Sequence, residues 1–147
     1  MKKLLYAFLL LPFFTGLLQA EDWSTDYQAS LDQAKKEHKL VLLDFTGSDW
    51  CPACMLLHKE VLSNPAFKDF LSKSFVPVTV DFPRNSKLPD KVAKQNDKLQ
   101  EYFGVEAFPT LIVVNSDGKS LGHITGYMPG SGPKTVTEQL QGIMEKK

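Results

Sequence analysis

Apolar and polar positions alternate along the chain in two rhythms, one helical and one extended. Between Ser24 and His38, Tyr27, Leu31 and Ala34 recur at i, i+4 and i+7, and Thr25 with Gln28 has the spacing of a capping box. This predicts a helix lying against a sheet. Leu40 to Phe45 is a short apolar run bounded by Lys39 and by Thr46-Gly47-Ser48, the pattern of a buried strand, with Asp44 its one anomaly. From Pro52 the apolar positions Cys54, Leu57, Val61 and Leu62 return to helical spacing. Proline suits the first helical position, where its missing N–H is not needed, so Cys51 falls at the N-cap.

Ser63-Asn64-Pro65 punctuates that helix and opens another, with Phe67, Phe70 and Leu71 on one face. Phe75 to Asp81 reads as a second strand, and Pro77, which cannot donate to a ladder, confines it to an edge. Residues 82 to 90 have no periodicity and contain two prolines. They lead into a polar helix from Lys91 to Phe103 that ends at Gly104. Thr110 to Val114 and Lys119 to Ile124 flank Asn115-Ser116-Asp117-Gly118, a β-hairpin pattern. Pro133 opens a final helix with Val136, Leu140 and Ile143 on one face.

The first 20 residues differ from the rest. Lys2 and Lys3 precede an apolar run from Leu4 to Leu18, then Gln19-Ala20 and the acidic pair Glu21-Asp22, the order of a secretory signal cleaved after Ala20. The run is 15 residues long and is interrupted by Pro12, Thr15 and Gly16. A bilayer needs roughly 20, so a transmembrane anchor fits less well. The expected mature domain is residues 21–147, located in the periplasm. Its 15 basic against 17 acidic side chains give a charge of −2. With Arg84 as its only arginine, the chain lacks the clustered cations that nucleic acid requires. A monomer is expected.

Export changes the meaning of the two cysteines, Cys51 and Cys54. A structural disulfide gains by closing a long loop, and this pair closes almost none. A cysteine at a helix N-terminus is instead stabilised as thiolate by unpaired N–H groups and the helix dipole. Cys51 is then the exposed, attacking thiol. Cys54, one turn in, is shielded and placed to resolve a mixed disulfide, which suits two-electron exchange. A zinc site would need further ligands, of which His58, four residues after Cys54, is the candidate. Met55 in place of His after Cys54 excludes haem attachment.

These residues resemble the thioredoxin superfamily, and within it the exported bacterial thiol-disulfide oxidoreductases of the periplasmic DsbH type. The resemblance rests on Val41 to Phe45, Thr46 to Cys54, Asp81 to Pro83, Gly104-Val105 and Phe108-Pro109-Thr110. It implies an α/β fold, a central mixed sheet with helices on both faces, a redox-active Cys51 and Cys54, and a cis peptide at Phe108-Pro109 beside them. It also matches Asp44 to the buried acid behind the site, a candidate base for Cys54 with a raised pKa. A substrate rim of Trp50, Phe108, Pro109, Tyr127 and Met128 is expected around Cys51. Three departures from plain thioredoxin stand out: one extra residue between Asp44 and Cys51, Pro-Ala instead of Gly-Pro between the cysteines, and a segment, 82–97, that lengthens the path to Pro109.

The activity implied is disulfide exchange with protein substrates bearing disulfides or thiols, more in the reducing direction, with no cofactor. A membrane electron donor, or for the opposite direction a membrane oxidase, would be its partner. The alternative is a binding or metal-handling module on the same scaffold that uses Cys51, Cys54 and His58.

Overall fold

The computed structural model describes residues 23–146, so the leader and its cleavage point lie outside the described residues. Four strands, β1 (Leu40–Thr46), β2 (Phe75–Asp81), β3 (Thr110–Val114) and β4 (Ser120–Thr125), form one sheet in the order β2-β1-β3-β4. β1 is buried along its whole length because it is central, parallel to β2 and antiparallel to β3. The β3–β4 hairpin closes through Asn115, whose Oδ1 accepts from the N–H groups of Asp117 and Lys119.

The two-residue repeat of β1 divides the core. Val41, Leu43 and Phe45 pack with Leu31 and Ala34 of α1 (Tyr27–Glu37) and Leu99 of α4 (Asp90–Phe103). Leu40 and Leu42 face the other way. They meet Leu57 of α2 (Pro52–Leu57), Phe67 and Leu71 of α3 (Pro65–Ser74), and Val136 and Leu140 of α5 (Gly132–Met144). The result is the thioredoxin-like mixed sheet with helices on both faces. By the same alternation Asp44 belongs to the α2 side.

The edge position of β2 follows from Pro77, and its outer rim is partly covered. Ser24 donates its N–H to the Pro77 carbonyl at 3.0 Å and accepts from Thr79 N–H at 2.8 Å. That use of Ser24 shifts the start of α1. The expected Thr25–Gln28 capping box does not form; Asp26 is the N-cap, accepting from Ala29 N–H at 3.0 Å. The Thr25 carbonyl instead accepts from Gln95 of α4, whose Oε1 also takes the Tyr27 N–H. Next to it the buried Asn96 donates to the Asp81 carbonyl at 3.0 Å and fixes α4 to the end of β2.

Candidate redox site

The turn after β1 delivers Cys51 to the N-cap of α2, as the sequence predicts. Cys51 is extended (φ −98°, ψ 105°), Pro52 opens the helix, and Cys54 N–H donates to Cys51 Sγ at 3.2 Å. Cys51 and Cys54 are joined as a disulfide with Cα atoms 5.3 Å apart. The expected contrast between an exposed and a shielded sulfur is not seen in this oxidised state. The two residues are 5% and 4% exposed. The Cys51 sulfur lies within reach of the Cys54 amide and of the Cys54 sulfur.

Behind the disulfide lies a cavity of about 390 Å³ lined by Asp44, Cys54, His58, Thr46, Ser48 and Trp23, among others. The extra residue before Cys51 therefore leaves Asp44 and Cys54 on one wall-lined space. Asp44 is 6% exposed and its Oδ1 has no hydrogen-bond partner. Burial, and secondarily the nearby Asp81 carboxylate, push its pKa up to about 7. Asp81 is itself held in place by the backbone and hydroxyl of Ser48, in the turn that leads to Cys51.

α2 does not continue as an α-helix. His58–Leu62 forms a π-helical turn, and the extra residue in that turn swings Glu60 toward the 127–130 loop. Glu60 accepts from the Tyr127 hydroxyl and from Gly130 N–H, and the Tyr127 bond chiefly holds its carboxyl below the ordinary range. Tyr127 and Met128 line a groove with Leu57, Leu111 and Ile124, a lining that does not include Cys51. Met128 is 75% exposed.

Trp50 and Phe108 do come together, ring edge to face at 5.9 Å, and Phe82 completes the cluster at 5.3 Å from Phe108. The Phe108–Pro109 peptide is cis. Trp50 is fixed from three sides. Its Nε1–H donates to the Phe82 carbonyl at 2.7 Å, its ring closes over Gly47, and the Arg84 guanidinium lies on it, 3.7 Å from the ring centroid. Asp49 ties down the same segment by accepting from the N–H groups of Arg84 and Asn85 at 2.9 and 2.7 Å. These bonds, that of Arg84 first, hold the Asp49 carboxyl below its ordinary pKa. Asp49 and Phe82 lie in segments that carry the resemblance, but their pairing with Arg84 and Trp50 has no local signal, because it exists only once residues 82–86 fold back on the turn.

A Cβ on Gly47 would stand 2.4 Å from the Trp50 ring. Gly47→Ala is therefore expected to expel the indole and cost about 1–3 kcal/mol, the usual penalty of overpacking. Urea denaturation reads the cost, and tryptophan emission reads the displacement. His58 is near Ser63, Nδ1 to Oγ 3.3 Å, and the described residues contain no group of three or more His, Cys, Asp or Glu side chains arranged to hold a metal.

Comparison with known proteins agrees with this geometry. The chain is 34% identical over 112 residues to the disulfide bond reductase DsbH of Chlamydia pneumoniae, covering 76% of this chain and 67% of that one. It is 30% identical over 123 residues to the thioredoxin-related protein DsbJ of the same organism, covering 84% of this chain and only 35% of DsbJ. A solved structure of a DsbH oxidoreductase superposes with a TM-score of 0.78 at 30% identity, covering 86% of this chain and 85% of that one. With the thioredoxin-like domain matched across residues 27–141, the chain belongs to the thioredoxin-like family and is a thiol-disulfide oxidoreductase of the Dsb type.

Proposed function

We propose that residues 21–147 act in the periplasm as a reductase of protein disulfides, with Cys51 attacking, Cys54 resolving and Asp44 as the base. In the reduced enzyme the Cys51 thiolate attacks one sulfur of a substrate disulfide, forming a mixed disulfide and releasing a substrate thiolate. Cys54 gives its proton to the Asp44 carboxylate and attacks Cys51 Sγ. The second substrate thiolate leaves, so the substrate gains two electrons and Cys51–Cys54 is oxidised. A separate electron-donating membrane protein then returns the pair to thiols.

The observation that carries the direction is the poverty of donors inside the CxxC ring. A strong oxidant needs its reduced thiolate stabilised far beyond what a helix end supplies. Here Cys54 N–H reaches Cys51 Sγ, Pro52 has no N–H, and neither Pro52 nor Ala53 adds a charge. An ionised Asp44 behind the pair would disfavour the thiolate further. The similarity to a protein named as a disulfide bond reductase points the same way. Export is supported by the leader pattern, and among the described residues no helix is long and apolar enough to cross a membrane. Equilibration with glutathione, alongside assays of insulin reduction and of oxidation of a reduced unfolded protein, tests the direction. A potential in the range of the strong oxidants, with poor insulin reduction, would overturn it.

Trp50, Phe108 and Phe82 supply the apolar contact for varied substrates. The backbone N–H and carbonyl of Phe108 have no partner among the described residues, which suits pairing with an extended substrate segment. Phe108→Ala should therefore slow reduction of protein disulfides several-fold more than reduction of a small aromatic disulfide. Equal slowing of both would remove Phe108 from substrate contact. The Tyr127 and Met128 groove is proposed as the outer part of the same surface.

A further inference from the structure

We infer that Arg84 is a specificity-determining residue that binds a carboxylate lying close to the disulfide in the protein substrate, and that residues 82–86 serve to present it. The inference deepens the reductase reading and rests on it. Arg84 is the only arginine against sixteen lysines, and it sits on the tryptophan that precedes the attacking cysteine. A long cationic side chain on a protein surface ordinarily samples many rotamers, and holding it still costs entropy. Here that cost is met before any substrate arrives. The guanidinium lies on the Trp50 face, Trp50 is anchored to the Phe82 carbonyl, and the peptide N–H groups on either side of Arg84 are gripped by Asp49.

The same grip leaves the guanidinium without a carboxylate. Asp49 is the acid in contact with this segment, and it spends its two oxygens on the backbone N–H groups of Arg84 and Asn85 rather than on the side chain. No ion pair to Arg84 forms among the described residues. A guanidinium centred over an aromatic ring keeps N–H donors that the ring does not use, and its planar fork matches a carboxylate in bidentate fashion. Because Trp50 adjoins Cys51, an occupant of the fork belongs to a residue near the disulfide under attack. The chain-lengthening segment after Asp81 is thus part of the substrate surface rather than a neutral insertion.

Two disulfide-linked fluorogenic peptides, identical except for Glu or Gln beside the cysteine, test this with the reduced full-length mature protein. The wild type should reduce the Glu peptide about threefold faster at low salt, the scale of one exposed ion pair. The preference should shrink as ionic strength rises, since the pair is exposed. Arg84→Gln should bring the Glu-to-Gln rate ratio to about one, and Arg84→Glu should invert it. Equal rates for the two peptides with the wild type would overturn the inference while leaving the reductase reading intact. So would a fall of both rates by one common factor in Arg84→Gln, because that is the mark of a residue that only props Trp50. Reduction of neither peptide by the wild type would overturn the reductase reading, and this inference with it.

Discussion

Asp44→Asn is expected to stabilise the protein by up to roughly 4 kcal/mol above pH 7, and by almost nothing below pH 4. The sign comes from the direction of the shift. Folded, the carboxyl keeps its proton to about pH 7; in the unfolded chain it loses it near 3.8. Between those values the native state binds more protons than the unfolded one, so wild-type stability falls as pH rises through the window. Asparagine has no such proton, and the advantage of the variant grows through the same window. The groups that face Asp44 across the cavity are Cys54 and His58, and the Asp81 carboxylate adds to the shift. Urea denaturation of the oxidised forms at pH 4, 6 and 8 measures the difference. A difference that did not vary with pH would show that Asp44 ionises freely. The same variant should resolve mixed disulfides more slowly near neutral pH, so that the acid behind the site destabilises the fold while serving exchange.

The largest kinetic effect should come from Cys54→Ser. With Cys51 free to attack and no second sulfur to displace it, a substrate protein should remain attached to Cys51 in a stoichiometric mixed disulfide, and turnover should stop. Gel analysis without reductant shows the adduct, and peptide mapping locates it. Attachment of substrate in the converse variant, Cys51→Ser, through Cys54, would reverse the roles. The assignment relies on the N-cap position of Cys51, where the sulfur already accepts the Cys54 N–H, and on Cys54 facing inward toward the Asp44 cavity.

What was legible in the sequence was governed by neighbours in the chain. The apolar run Leu40 to Phe45, which the strand extends by Thr46, the proline at the start of α2, the Asn64 cap and the left-handed Gly104 after α4 are all local choices, and each lies where its pattern indicates. Asp44 was conspicuous because a charge in an apolar strand must be explained by something outside the strand. The failures are long-range. Asp26 rather than Thr25 caps α1, since Ser24 is drawn onto β2 and Thr25 onto Gln95, about seventy residues away. The hold of Asp49 on residues 84 and 85 spans a similar gap in kind, 35 and 36 residues. The π-helical turn that aims Glu60 at Tyr127 has no periodic signature in five residues. No window of apolar periodicity reaches such partners, and they are what shape the surroundings of Cys51.

The two rims of the sheet are not equivalent. Pro77 lacks a donor and Ser24 occupies neighbouring positions, so β2 offers little to an incoming strand, whereas among the described residues β4 pairs on one side only. A sheet with one receptive rim can join a copy of itself through that rim once, by a two-fold arrangement, and then has no rim left to extend. Strand-to-strand association through the rims of this sheet would therefore end at a pair.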